Sequence, residues 1–390
     1  MPADRPAVAG ELPARDESLR VIRFGRVSPL RSQTLWHAIA EGVSAGAPPT
    51  LSFMRPDAPY VSVGYHHDLG RVDLEACERS GVPVYRRMVG GGAVYCDEGQ
   101  LFFQITVPAA DLPAARGDAL NHLLTPALAA FAAAGLPAHL DASGEIVVGD
   151  RKVCGHGAGQ IGRAVVVVGN LIERFDHDAA AALMRTPSDE AAREALALMR
   201  RYVGPEEASP IDPDAFATAA VRSYAEALGR QAAEGRLTTG EEAALESWDR
   251  RLCSAEWREG PSHRMASAYQ LKVRSGVFVV AAEHDGARVD ATVVDGRVAA
   301  VRLEDPALAG AAAAGRALLG RPLSEVPRVL AGLGGAGQRL SVAFEAASGG
   351  EVAASSRGRV VAARRRRPAP RKAVAAGRAA SGTDTGREAR

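Results

Sequence analysis

Lysine is what this 390-residue sequence most lacks: of 47 Lys and Arg, three are lysines, at positions 152, 272 and 372. Cysteine is scarce as well. Cys77, Cys96, Cys154 and Cys253 lie far apart with no C-x-x-C pair, so neither a disulfide framework nor a zinc site is indicated. No run of 18 apolar residues occurs, and no membrane-spanning helix is predicted. The opening MPADRPAVAGELPARDE has no apolar stretch of the secretory type, and the expected setting is the cytoplasm. The net charge of +1 hides an asymmetry. Residues 351–390 carry eleven Lys/Arg against three Asp/Glu, a balance of +8 that leaves about −7 on residues 1–350. A mildly acidic body is the reverse of a nucleic-acid-binding footprint, so nucleic acid is not an expected partner of the body.

At 47% hydrophobic and 24% charged, the chain has the composition of a globular protein long enough for two or three domains. Residues 1–18, rich in Pro, Ala and charge, predict a disordered leader. Strands are predicted at LRVIRFG, APYVSVGYHHD, VPVYRRMV, QLFFQITVP and RAVVVVGNLIERF, and GEIVVGDRKVCG reads as a hairpin turning at Gly149-Asp150. Helices are predicted at SQTLWHAIAEGV and DLEACERSG, and from Asp118 as N-cap to Gly135, with a kink at Pro126. Residues 188–257 read as helical, Ser188 being an N-cap. Strands and helices mix without regular βαβ alternation. The prediction over 19–250 is therefore an α+β domain, a mixed or antiparallel sheet with flanking helices. From 257 to 335 the alternation of apolar and polar residues, with Asp285-Gly286 and Asp295-Gly296 as hairpin turns, predicts a small α+β accessory domain with helices near 306–319 and 323–332. Residues 350–390, with the Arg364–Arg367 run, read as a basic low-complexity tail.

Two stretches carry chemistry. RRMVGGGAVYCDEGQ, positions 86–100, sets Arg86 and Arg87 beside Gly90, Gly91 and Gly92. Three glycines let backbone N–H groups approach an anion, and an arginine beside them suits a phosphate or carboxylate. The loop precedes a strand and no G-K-[ST] follows, which excludes a P-loop or Rossmann fingerprint. A flexible hairpin tip with solvated arginines fits the same residues. The two arginines, adjacent on a strand, are expected to point to opposite faces. GDRKVCGHGAGQ, positions 149–160, again places a cation, Lys152, beside open backbone. Where arginine is the default, a lysine implies a compact charge on a flexible stem.

Together, RR-x-x-GGGAVY-x-D-x-G and, some fifty residues on, G-x-(R)KV-x-G resemble the catalytic domain of the lipoate–protein ligase A family, within the wider biotin/lipoate ligase group, over about residues 20–250. The segment 257–335 is similar, more loosely, to the accessory C-terminal domain of those ligases. The resemblance implies a class II aminoacyl-tRNA synthetase/biotin ligase-like fold. It also implies activation of lipoate or octanoate with ATP and Mg²⁺ to an acyl-adenylate, and transfer to a lysine of a lipoyl carrier, a 2-oxoacid dehydrogenase E2 or a glycine cleavage H protein. Lys152 would be the catalytic residue. Arg87 would contact the acyl-adenylate, Gly90, Gly91 and Gly92 would line its channel, and Tyr95 and Asp97 would hold the loop. Gln100, Gly155, Gly157 and Asn170 would complete the ligand contacts.

The family pattern has His at Cys96, Asn at Gln100, Ser at Cys154, Ala at Gly157 and often Thr at Asn170. A sibling branch transfers octanoyl groups through a cysteine thioester without ATP. Those enzymes carry their cysteine on the loop before the lysine strand, where this chain reads HLDASGEI, or well after it. Cys154, two residues after Lys152, is expected on the same strand face and is the candidate nucleophile, Cys96 a lesser one. His156, His66 and His67 are further residues expected near the site. Three readings follow: an ATP-dependent ligase, a thioester-exchanging octanoyl or lipoyl transferase, and a non-catalytic protein that binds lipoyl domains.

Overall fold

The computed structural model describes residues 18–206, 210–260, 268–350 and 352–353. β1 (Ser18–Val27) leads into α1 (Pro29–Ser44), which starts as its sequence dictates: Ser28 caps the Arg31 N–H and Pro29 takes the first helical position. Next come β2 (Thr50–Pro56), β3 (Tyr60–Val63), α2 (Leu74–Arg79), β4 (Val84–Arg86), β5 (Ala93–Cys96) and β6 (Gln100–Pro108). α3 (Arg116–Ala133) precedes β7 (His139–Leu140), β8 (Ile146–Val148), β9 (Arg151–Cys154), β10 (His156–Ile161) and β11 (Ala164–Ile172). α4 (His177–Ala182), α5 (Asp189–Tyr202), α6 (Pro213–Leu228), β12 (Gln231–Glu234), α7 (Thr239–Cys253) and α8 (Ala255–Glu259) follow. The C-terminal unit holds β13 (Ala268–Arg274), β14 (Val277–His284), β15 (Ala287–Val294), β16 (Arg297–Glu304), α9 (Ala311–Leu318), α10 (Val326–Ala331) and α11 (Gly334–Ser348).

The main sheet runs β10-β11-β6-β2-β1-β12, with parallel pairs β12–β1 and β1–β2 and antiparallel pairs beyond. It is a mixed sheet flanked by helices. α3 and α6 cover one face, where Phe103, Phe131, Phe216 and Tyr224 meet edge-on or tilted in the largest core. Two small sheets, β4-β3-β5 and β7-β8-β9, stand beside it. The C-terminal sheet is an antiparallel meander, β13-β14-β15-β16. Its turns are as the dipeptides require: Asp285 and Gly286, and Asp295 and Gly296, all have positive φ. One face of the meander packs on α9–α11 through Phe278, Leu340 and Phe344. The other, through Leu271, Val273, Val277 and Val279, enters a core shared with Val63, Met199, Tyr202 and Val203 of the first unit.

Several expectations are corrected. α3 starts at Arg116 with Ala115 at its cap, so Asp118 lies in the first turn, and one helix continues through Pro126. The span 188–257 is not wholly helical, because it contains β12, which pairs in parallel with β1 and forms the edge of the main sheet. α11 was not foreseen: Gly334 and Gly335 open it, whereas Leu340, Ala343 and Phe344 bury its far side. The leader and the basic tail lie outside the described residues except at their inner edges. There Ser18 already begins β1 and Val352 is buried in the C-terminal core.

Candidate active site

The glycine loop is not a hairpin tip. β4 runs parallel to β3 and β5 antiparallel to it, on opposite sides of β3. Residues 87–92 must therefore cross from one edge of the small sheet to the other. The crossing is pinned by backbone bonds from Gly64 N to Gly92 O (3.2 Å) and from Tyr65 N to Val89 O (3.1 Å). It is drawn in so tightly that a side chain at Gly64 would strike the Gly91 carbonyl, and Gly91 itself has φ +101°.

Both arginines are buried, and both hold backbone. Arg87 donates through Nη1 to the Ser62 carbonyl (2.6 Å) and hydroxyl (3.2 Å), and through Nη2 to the carbonyls of Gly90 and Gly92 (both 2.9 Å). Burial lowers its guanidinium to about 10, still charged at neutral pH. Arg86 points away from it, donating to the carbonyls of Gly64, Tyr65 and His67 and to those of Arg258 and Glu259 in α8. His37 of α1 fixes the loop from beneath: its Nδ1–H donates to the Gln33 carbonyl (2.6 Å), and its Nε2 accepts the Met88 N–H (3.2 Å). Burial holds that imidazole at about 3, so it stays neutral.

Lys152 lies on β9 with its side chain 20% exposed, and Nζ reaches Glu145 Oε1 at 3.1 Å. The same oxygen accepts the backbone N–H of Ser275, from the C-terminal unit, at 3.0 Å. Burial alone would raise the Glu145 carboxyl. The charges of Lys152 and Lys272 and the two hydrogen bonds outweigh burial and hold it at about 2. Glu145 Oε2 is buried and makes no hydrogen bond. His156, half-buried beside Lys152 with its Nε2–H donating to the Gly144 carbonyl (2.9 Å), is lowered to about 4 by desolvation and by that charge.

A polar chain joins the two stretches. Gln100 donates to the Tyr95 carbonyl (3.3 Å) and to Asp97 (3.2 Å); Asn170 Nδ2 donates to Gln100 Oε1 (2.7 Å), and Gly155 N donates to Asn170 Oδ1 (2.6 Å). Gln100 and Asn170, two departures from the family pattern, thus contact each other. Gly157 packs against the Gly90 carbonyl and Val89, so the glycine loop and the Lys152 strand meet directly. Between them opens a cavity of about 360 Å³, within the ~300–1,000 Å³ range of small-molecule sites. Gly91, Lys152, Gly155 and Asn170 stand on its polar side, and Tyr95, Phe175, Met184 and Val203 on its apolar lining.

Of the expected residues, Arg87, Gly91, Gly92, Tyr95, Gln100, Lys152, Gly155, Gly157 and Asn170 line this cavity. Gly90 and Asp97 stand behind the wall, Gly90 through its carbonyl bond to Arg87 and Asp97 through Gly99 and Gln100. His156 lines the cavity; His66 and His67 are not in its wall. Cys154 is corrected. It is fully buried in the large core on the far side of β9, and burial pushes its thiol up to about 12. The reason is a bulge: Val147 pairs with Lys152 but Ile146 with Cys154, which breaks the alternation that would have kept the two on one face. Cys96 does line the cavity, with its thiol also pushed up to about 12 by burial. Glu145, His37 and Lys272 were missed. For Lys272 a signal existed in the rarity of lysine.

The lipoyl protein ligase A/B catalytic domain model matches residues 28–224, from the cap of α1 to Tyr224 of α6. The chain belongs to that family. Members similar to it include lipoate-protein ligase A subunit 1 of Thermoplasma acidophilum, 26% identical over an alignment of 235 residues that covers 57% of this chain and 89% of the relative. An octanoyltransferase LipM of Moorella thermoacetica is 27% identical over 271 residues, 62% of this chain and 97% of the relative. In fold, a crystal structure of lipoate-protein ligase A bound with ATP superimposes with a TM-score of 0.53 at 23% identity, covering 62% of this chain and 99% of the other. The family relatives are thus enzymes of the ligase and transferase kind. Among the described residues no helix is long and apolar enough to cross a membrane.

Proposed function

We propose that this family member is an ATP-dependent ligase that activates lipoate or octanoate and passes the acyl group to a lysine of a lipoyl carrier domain, of a 2-oxoacid dehydrogenase E2 or a glycine cleavage H protein. The observation that carries the reading is the make-up of the cavity. Lys152 and the glycine loop face an apolar lining, and the one thiol in the wall, Cys96, is held far from ionisation at neutral pH. A site without a ready thiolate needs its acyl group activated by other means. ATP does this. A carboxylate oxygen attacks the α-phosphorus, the bond to pyrophosphate breaks, and acyl-adenylate remains. The carrier amine then attacks the acyl carbon and loses a proton, an amide forms, and AMP leaves with the C–O electron pair. Lys152 offsets charge growing on the carbonyl and phosphate oxygens. Arg87, through its bonds to Gly90 and Gly92, keeps the loop's shape. Mg²⁺ would ride on the triphosphate, since Glu145 is the one carboxylate in the cavity wall among the described residues and Lys152 and Ser275 already engage it.

Thioester exchange is the second reading, supported by the octanoyltransferase relative and by Cys96 in the wall. Incubation with octanoate or lipoate, ATP, Mg²⁺ and an apo carrier domain, followed by carrier mass, separates them. Mass gain that requires ATP is expected. Gain from an octanoylated donor without ATP, lost in Cys96→Ala, would move the assignment to the transferase. Carrier binding without any gain would leave a non-catalytic lipoyl-domain binder.

A further inference from the structure

The stretch matched by the family model ends at Tyr224, yet the glycine loop is held by residues beyond it. The carbonyl of Arg86, the last residue of β4, accepts the Trp257 indole N–H of α8 at 2.9 Å. In return the Arg86 guanidinium donates to the carbonyls of Arg258 (2.9 Å) and Glu259 (3.1 Å), at the C-terminal end of α8 where carbonyls have no partner within the helix. Gly260 follows with φ +70°, and a side chain there would strike the same guanidinium. α7 reaches the loop by a second route. Its Trp248 ring lies 4.3 Å from the ring of His37, whose Nε2 accepts the Met88 N–H. Arg86 and Met88, the two neighbours of Arg87, are thus both held from this segment.

The segment has a fixed base. α7 opens on a capping box of Thr238 and Glu241, Glu241 is ion-paired with Arg20 of β1, and Trp248 donates to Glu41 of α1 at 2.9 Å. Packing on α1 through Ala38, Trp248 and Leu252 accounts for α7. It does not account for α8. A helix of five residues does not hold itself, and apart from half-buried Trp257 its residues are exposed, so α8 adds little to the core. What it has is directed at the loop. The Trp257 ring lies 5.7 Å from that of Tyr65 and 6.1 Å from that of Trp248, with the Arg251 guanidinium 5.2 Å from its centre. Tyr65 in turn donates its N–H to the Val89 carbonyl of the loop. The next described element, β13, lines the cavity through Leu271 and Val273, so the segment stands where the chain passes to the C-terminal unit.

We propose that Trp257 is a positioning residue for the glycine loop. With the α8 carbonyls on Arg86, its indole N–H fixes the strand end from which residues 87–92 cross, and so the shape in which Gly91 and Gly92 meet the ligand. Trp257 is not in the cavity wall and acts through Arg86. The proposal rests on the reading above in one respect, that the ligand on the loop is an acyl-adenylate. It adds α7 and α8, which follow the matched family domain, to the parts that set the site.

The test compares the full chain with Trp257→Phe, which keeps a ring and removes the N–H, and with Gly260→Ala, which pushes the end of α8 off Arg86. Hydrogen exchange followed by mass spectrometry reads the loop directly. Amides of residues 88–92 are expected to exchange about tenfold faster in both variants, the scale of one lost hydrogen bond, with β6 unchanged and the melting temperature within a few degrees of the wild type. In octanoate-dependent exchange of pyrophosphate into ATP, kcat is expected to fall about tenfold or more while the KM for octanoate holds. Loop amides that exchange at the wild-type rate in both variants overturn the proposal. So does a faster loop with undiminished kcat, and so does faster exchange throughout the first unit, which would mark Trp257 as merely structural. The outcomes are separable from the function itself. A wild type that incorporates no pyrophosphate removes the ligase reading alone, and the loop amides then decide the positioning.

Discussion

Arg87 joins Ser62 to the carbonyls of Gly90 and Gly92, so the fixed charge beside the glycines shapes them before any ligand arrives. Truncating it strands buried carbonyls. Hydrogen bonds to a charged group are each worth ~1.5–3 kcal/mol, so Arg87→Ala is expected to lose several kcal/mol of unfolding free energy by denaturant titration. Arg87→Lys, a point charge in place of a fork, recovers part of it. Cys154 makes the opposite prediction. Its thiol faces the core, so Cys154→Ala keeps full acyl transfer and loses ~1 kcal/mol of stability to the small cavity; loss of transfer at unchanged stability would contradict its placement. At this scale Lys152 and the triple glycine were legible, because a rare residue type and a permissive backbone stand out in a string. Glu145 was not. Its importance depends on Ser275, 130 residues away, meeting the same oxygen.

Among the elements, those with strong local rules were readable: the body of α1 over SQTLWHAIAEGV, though not its Ser28-Pro29 start, the Gly149-Asp150 hairpin, and the two Asp-Gly turns of the meander. Those governed by pairing were not. β5 and β4 flank β3 instead of pairing with each other, and the slip in β8–β9 reverses which face Cys154 takes. Sequence alternation assumes an unbroken period of two, and a bulge is where that assumption fails. The crossing of the loop over β3 predicts a steric test. Gly64→Ala forces a Cβ onto the Gly91 carbonyl, so acyl transfer is expected to fall at least tenfold while the circular dichroism of the folded state persists; an unaffected rate would show that the loop is not packed as described. His37→Phe, which removes the acceptor of the Met88 N–H, is expected to act in the same direction.

For the whole molecule, two desolvated imidazoles, His37 fully buried and His156 half-buried, set an acid response. His37 is held at about 3 and His156 at about 4, both below the ordinary 6.5, in each case chiefly by burial. The unfolded chain therefore takes up protons first as pH falls. Stability is full above about 6.5 and declines toward pH 4 and 3; His37→Gln is expected to flatten that decline in a pH series of thermal unfolding. Glu145 adds to the decline below about 4.5, being depressed to about 2. The shared core of β13, β14 and α5 was beyond sequence reasoning, since the meander is apolar on both faces and the string does not say which face meets which partner. That packing is what brings a second lysine to the cavity of the first.

Octanoate-dependent exchange of labelled pyrophosphate into ATP, compared between the wild type and Lys152→Ala, tests the account at its centre. Exchange in the wild type and its loss in a folded Lys152→Ala protein is the result the account predicts. Undiminished exchange without Lys152, or carrier acylation by a wild type that catalyses no exchange, would contradict it.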